Sequence, residues 1–172
     1  MDIMAFTPEM LRGVPIDVIW ASPDCRYFSV AVLSQNWAKR GPLYIPKHDK
    51  VWQALEWLDK TLALIAEIRP KYFFIENPRG MMRNVDVMRA IPRHTVTYCQ
   101  YGDTRMKPTD IWTNCDTWTP RPACKNGDPC HEPAPRGSKC GTQGLKDATE
   151  RAKIPSELCK EIIRACYKGL YD

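Results

Sequence analysis

Two short segments, about 50 residues apart, carry side chains that could perform covalent chemistry together. Asp17-Val-Ile-Trp-Ala-Ser-Pro-Asp-Cys25 ends in a thiol, and Lys71-Tyr-Phe-Phe-Ile-Glu-Asn-Pro78 delivers a carboxyl group at Glu76. In each, a near-continuous apolar run of strand length stops at a proline-containing turn, the pattern of a strand buried on both faces. Parallel strands bring their C-terminal ends to one rim of an open sheet, where ligands bind. Taken singly, a cysteine at a strand end packs as a small hydrophobe, and Glu76 could cap the turn at Arg79 or Gly80. On one rim, the two make a nucleophile with an acid partner.

The rest of the chain must hold those two ends. Residues 1–15 read as a connector and Ile16 to Ala21 as the first strand. Residues 26–50, broken by Gly41-Pro42 and Pro46, read as a loop or short helix. Val51, Leu55, Leu58, Leu62, Ile65 and Ile68 recur at spacings of three and four, which predicts a helix over 51–68, closed by Pro70. Tyr72 to Ile75 is the second strand and Asn77-Pro78-Arg79-Gly80 its exit turn. A short helix is expected over Val85 to Ile91, with strands over 95–100 and 110–114. A final helix is expected over 155–170, with Pro155 at its first position and Ile154, Leu158, Ile162, Ile163 and Cys166 on its apolar side. This order argues for one α/β domain with a partial sheet, parallel early and with an antiparallel pair late. Residues 115–145 form an irregular insertion rich in cysteine and proline.

Bulk properties narrow the classes. The 172 residues are 44% hydrophobic and 26% charged, ordinary for a globular domain. A net charge of +5 permits a polyanionic partner such as DNA. No apolar run approaches the ~18–20 residues that span a bilayer, and the N-terminus lacks the pattern of a secretory signal. A cytoplasmic location is therefore expected, and the eight cysteines read as thiols or metal ligands. Cys115, Cys124, Cys130, His131 and Cys140 fall within 26 residues of chain poor in apolar side chains. A zinc ion held by a subset of them could order that stretch; a loop with incidental thiols and a set of disulfides are the other readings. Arg121, Lys125, Arg136 and Lys139 would give the stretch a basic surface.

Ser22-Pro-Asp-Cys25, Phe28-Ser29 and Glu76-Asn-Pro78 resemble the nucleophile and acid motifs of the DNA (cytosine-5) methyltransferases of small phage and prophage type. Tyr98-Cys-Gln-Tyr-Gly102, Lys107-Pro-Thr-Asp-Ile-Trp-Thr-Asn114 and Arg151-Ala-Lys-Ile-Pro-Ser-Glu-Leu-Cys159 continue the resemblance in order. The resemblance implies a Rossmann-like core, a DNA substrate and S-adenosylmethionine as cofactor. It implies Cys25 as the thiolate that adds to cytosine C6, and Glu76 as the carboxyl group at N3, with a raised pKa. The base would leave the stack to reach them. It further implies substrate or DNA contacts at Ser22, Asn77, Arg105, Lys107 and Thr109, and cofactor contacts at Pro155 and Ser156. Residues 115–145 would occupy the place of target recognition.

Two departures shape the expectation. Asp24 replaces the second proline usual before the nucleophile, and a carboxylate there disfavours the thiolate unless Arg26 offsets it. The strand and Gly-rich turn that hold the cofactor have no counterpart before Asp17, and no Gly-x-Gly occurs. The expected core is thus partial, its first strand an exposed edge. A complementary chain, a homodimer through residues 16–21, or truncation would account for it. A non-catalytic DNA-binding or decoy protein and a zinc-stabilised interaction module are the alternatives.

Overall fold

The computed structural model describes residues 2–133 and 147–171. The chain gathers into two compact units, Met1–Pro92 with Trp112–Asn114, and Arg93–Ile111 with Cys115–Asp172.

In the first unit, β1 (Val18–Ala21) pairs in parallel with β4 (Tyr72–Pro78), in register from Val18↔Tyr72 to Ala21↔Ile75. A parallel pair needs a long crossover, and α2 (Asp49–Ile68) supplies it. Arg69 ends this helix in the left-handed conformation, with φ 53°, and Pro70 prevents its continuation. Val51, Ala54, Leu58, Thr61 and Leu64 form the buried line of α2. Leu55, Leu62 and Ile65 flank that line half-buried, so the stripe is turned slightly from the expected one. Thr61 can lie on the line because its hydroxyl donates to Trp57 O within the helix, at 2.8 Å. Phe28, Trp37, Ile75, Met82 and Trp112 complete the core.

β1 is shorter than expected and is not buried on both faces, Val18 being 38% exposed; it is the edge strand that was expected, at the end of the order β1-β4-β6-β5. Residues 3–11 are more than a connector. They form 3₁₀ turns at Ile3–Ala5 and Pro8–Leu11, which lie on α2. Residues 30–46 hold a 3₁₀ turn (Val30–Val32), the one-turn helix α1 (Leu33–Asn36) and an antiparallel hairpin of β2 (Trp37–Arg40) and β3 (Leu43–Pro46). Gly41 takes φ 60° at the first position of the two-residue loop, where hairpins favour glycine. Pro46 does not break the hairpin, because it sits at its open end opposite Trp37. β4 runs through Glu76 and Asn77 to Pro78, so both motif residues belong to the strand and the exit turn begins at Arg79. A 3₁₀ turn at Met81–Asn84 and α3 (Asp86–Arg89) follow.

β6 (Pro108–Thr113) begins in the second unit and ends in the first. In the first unit, the Asn114 side chain acts as a short strand beside β4. Its Oδ1 accepts from Phe73 N–H and its Nδ2 donates to Lys71 O, both at 2.9 Å. In the second unit, β5 (Arg93–Thr97) runs antiparallel to β6. Tyr98 N–H donates to Met106 O at 2.8 Å, and Thr95 Oγ1 donates to Asp110 Oδ1 at 2.7 Å. β5 ends at Thr97, short of the expected Gln100, and Tyr98–Tyr101 turn as a 3₁₀ helix that Gly102 closes at φ 87°. After α4 (Ala148–Ala152), α5 (Ser156–Tyr171) buries Leu158, Ile162 and Cys166, spaced by four. Ile163 falls off that line and is 52% exposed. The molecule is therefore α/β with a mixed sheet, parallel at β1–β4 and antiparallel at β5–β6.

Leu58 is the central residue of α2 and fully buried. Leu58→Ala is expected to lower unfolding free energy by about 2–5 kcal/mol, read from urea titration. A loss within about 0.5 kcal/mol would contradict this account of the core.

Candidate active site

Residues 22–29 leave β1 as an irregular loop, and irregular backbone must find partners for its carbonyls. Six of the eight do, Ser29 O among them, which accepts from Val32 N–H at 3.2 Å. Pro23 O accepts from Asn77 Nδ2 at 2.7 Å, and Cys25 O from Ser29 N–H at 2.9 Å. Arg26 O accepts from Asn36 Nδ2 at 2.9 Å, Tyr27 O from Trp37 Nε1 at 2.7 Å, and Phe28 O from Met81 N–H at 2.5 Å. Asn36 is itself oriented by His48 Nε2, 3.0 Å from its Oδ1. Ser29 and Gly80 add an antiparallel bridge. A Cβ on Gly80 would lie 2.2 Å from Phe28 O, so only glycine lets the two backbones meet. Cys25 is exposed on this fixed loop.

Glu76 lies in β4 between two fully buried residues and is itself 6% exposed. One step beyond Ala21↔Ile75, the parallel register brings Ser22 level with Glu76. Ser22 Oγ accepts from Trp20 Nε1 at 2.8 Å. The Asn77–Pro23 bond ties the carboxylate strand to the thiol loop. The structure thus gathers Ser22, Cys25, Glu76 and Asn77 in one region of the first unit. Asn77 Oδ1 is buried there without a hydrogen-bond partner.

Asp24 does not confront the thiol as a lone charge. It accepts from Arg26 N–H at 2.9 Å and from Arg26 Nε at 2.7 Å. Burial raises its pKa, but the hydrogen bonds and charge of Arg26 outweigh this and hold it below the usual carboxylate value. Beyond the loop, a shallow cavity is lined by Val30, Leu33, Arg79, Gly80 and Arg83. Arg79 and Arg83 were not among the expected contacts. Their signal in the sequence is position, directly after the Glu-Asn-Pro strand end.

In the second unit, Arg105 and Lys107 are 5% and 8% exposed. Arg105 forks onto Asp103, with Nε at 2.8 Å from Oδ1, and donates to Glu150 O at 2.9 Å. Lys107 donates to Arg151 O at 2.7 Å and lies 4.5 Å from the centre of the Tyr98 ring. Both cations thus cap carbonyls near the C-terminal end of α4. Burial raises the pKa of Asp103, but Arg105 more than reverses this and lowers it. Thr109 is fully buried and donates to Lys107 O at 3.0 Å. Arg121 pairs with Glu161 at 2.8 Å and donates to Gln100 O at 2.7 Å. Glu161 also receives Trp118 Nε1 and Tyr101 OH, each at 3.3 Å. Burial pushes the Tyr101 hydroxyl up to about 12. Pro155 and Ser156 line an open polar depression with Tyr101, Asp103, Glu150 and Lys153.

Cys124, Cys130 and His131 do converge, but with Cys99, which the expected ligands did not include. Cys99 read as part of a strand, and the 3₁₀ turn after β5 gives it another direction. Cys115 lies apart from that cluster, 3.3 Å from Thr117 Oγ1. It also neighbours Cys166, whose thiol is pushed up to about 11, first by burial and then by Cys115. Cys140, Arg136 and Lys139 lie outside the described residues.

No family model matches the chain. It is 32% identical over 171 residues to the "Probable DNA (cytosine-5)-methyltransferase" of Frog virus 3 (isolate Goorha), covering 91% of this chain and 78% of that relative. Among solved structures, it is similar to a candidate DNA modification methyltransferase encoded within an E. coli prophage. That similarity has 18% identity and a TM-score of 0.45, over 66% of this chain and 32% of the solved one.

Two outcomes follow from this geometry. Gly80→Ala is expected to destabilise by about 1–3 kcal/mol, because the new methyl group overpacks against Phe28; an unchanged denaturant midpoint would refute the clamp. The depressed pKa of Asp103 favours the folded state above the unfolded carboxylate value of about 3.9, and that contribution is lost as pH falls through the folded value. Urea midpoints measured from pH 7 down to pH 3 should therefore fall less steeply below about pH 4 in Asp103→Asn than in the parent. Identical acid limbs would remove Asp103 from the account.

Proposed function

We propose how this chain acts from one premise: it belongs to the DNA (cytosine-5)-methyltransferase family. On that premise, the chain methylates C5 of a cytosine that has left the DNA stack. The observation that supports this reading best is the clamped loop, which offers Cys25 to solvent while tied to the strand that carries Glu76.

The reaction needs what these side chains provide. The Cys25 thiolate adds to C6 of the base, forming the S–C6 bond, and the C5–C6 π electrons shift into the ring. Glu76 donates a proton at N3, so the ring gains a neutral enamine with its electron density at C5. Asn77 Oδ1 is a buried acceptor for which the cytosine 4-amino group is a matching donor. Arg26 holds Asp24 in an ion pair, which keeps that carboxylate from opposing the thiolate. Arg79 and Arg83 are suited to the phosphates on either side of the flipped nucleotide. Arg105 and Lys107 then act indirectly, by bracing α4.

The family uses S-adenosylmethionine, which supplies an electrophilic methyl group when bound. Glu150, Lys153, Pro155 and Ser156 would hold part of it, since their depression offers both charges and a hydroxyl for an amino-acid end. The uncovered side of β1 is where a complementary chain or a second copy would add a strand. Such a protein works in the compartment that holds its DNA, as the expected cytoplasmic location requires.

The test uses duplex DNA containing 5-fluorocytosine together with S-adenosylmethionine. Fluorine at C5 blocks the final loss of a proton, so the Cys25 adduct accumulates. A stoichiometric protein–DNA adduct is expected on denaturing gels, absent in Cys25→Ser and formed at least about 10²-fold more slowly in Glu76→Gln. DNA binding without any adduct would overturn the catalytic reading and leave a DNA-binding decoy.

A further inference from the structure

We propose that Cys99, Cys124, Cys130 and His131 form a closed structural Zn²⁺ site. One ligand atom from each lies within 4.8 Å of all the others. Cys99 Sγ stands 3.1 Å from Cys124 Sγ and 3.5 Å from Cys130 Sγ. His131 Nδ1 stands 3.7 Å from Cys124 Sγ and 3.6 Å from Cys130 Sγ.

Tetrahedral zinc with bonds of about 2.3 Å to sulfur and about 2.0–2.1 Å to nitrogen separates its ligands by about 3.8 Å between sulfurs and about 3.6 Å between sulfur and nitrogen. The histidine distances match, while Cys99 Sγ must move apart from Cys130 Sγ by about 0.3 Å and from Cys124 Sγ by about 0.7 Å. A disulfide would require about 2.05 Å, which neither of these two sulfur pairs approaches, and all three cysteines are free thiols. Three thiolates and an imidazole are the donor set that favours zinc over calcium, magnesium or manganese. Four protein ligands leave no open position, which makes the site structural.

The surroundings fit a metal centre. Gln100 Nε2 points a donor at Cys130 Sγ from 3.4 Å, as groups outside a thiolate site do. Cys124 N–H is fixed on Thr97 Oγ1 at 3.0 Å, and Glu132 N–H on Thr104 O at 2.8 Å. Residues 119–133 lack helix and strand. Ordering such backbone loses entropy that its few apolar contacts do not offset. Zinc would fasten this segment to the turn between β5 and β6, just ahead of Asp103 and Arg105. The site stands independently of the methyl-transfer reading.

The experiment reads metal directly. The full chain is purified after expression in zinc-supplemented medium, and its metal is counted by elemental analysis and native mass spectrometry. One zinc per chain is expected, retained in Cys115→Ser and lost in Cys99→Ser. In case the Cys99 variant does not fold, Co²⁺ is exchanged into the parent protein. Intense visible bands of tetrahedral cobalt with a sulfur-to-metal charge-transfer band are expected. Less than a tenth of an equivalent of zinc in the parent, full zinc in folded Cys99→Ser, or an octahedral cobalt spectrum would each overturn the site.

Discussion

The candidate site depends on how the loop after β1 satisfies its own backbone. Six of its carbonyls find donors, from Asn77, Ser29, Asn36, Trp37, Met81 and Val32. An unsatisfied buried carbonyl costs about 1–3 kcal/mol, so each bond selects one loop conformation against its alternatives. Four of the donors come from β4, the turn after it, α1 and β2; the other two, Ser29 and Val32, lie in the loop itself and in the 3₁₀ turn that follows it. The backbone on either side of Cys25 is held. A thiol on a free loop would sample many positions, whereas here the main chain that carries it is fixed. Preorganisation of this kind lets a nucleophile and an acid act on one small ring without reordering the protein.

The second unit uses its charge differently. Arg105, Lys107 and Arg121 lie where a basic, DNA-facing segment was expected, yet each is engaged with internal carbonyls or carboxylates. Irregular chain creates many unpaired carbonyls, and long cationic side chains are efficient at reaching them. Glu161 serves the same purpose with opposite sign, collecting an indole, a phenol and a guanidinium at one point of α5. These polar ties sit beside an apolar core of the second unit's own, in which Val96, Tyr98, Ile111, Trp118, Leu158 and Ile162 are buried.

What could be read in the sequence was what rests on local pattern. The period of α2, the proline that opens α5 and the strand-to-turn breaks at Cys25 and Glu76 are all properties of neighbouring residues. The hairpin of β2 and β3 was hidden because Pro42 and Pro46 read as breakers, although one sits in its loop and the other at its open end. Cys99 was missed for a related reason: alternation suggested a continuing strand, and the turn at Tyr98–Tyr101 is held by contacts with Arg121, 20 and 21 residues away. The burial of Arg105 and Lys107 could not be read at all, since their partners are carbonyls of α4, more than 40 residues on. Side-chain chemistry is visible in a sequence, but the backbone groups that claim it are not.

The spacing of the loop's donors along the chain sets an order of assembly. Asn36 and Trp37 reach carbonyls only ten residues behind them, and they lie at the base of a tight hairpin. Hairpins close in microseconds, and small loops lose little entropy on closure. Asn77 is separated from Pro23 by 54 residues, with all of α2 between. The local half of the cradle can therefore take shape early, while its last tie waits for the crossover to finish. A nascent chain would carry a half-shaped cysteine loop until β4 arrives, so the thiol takes its fixed place only once that strand is laid down.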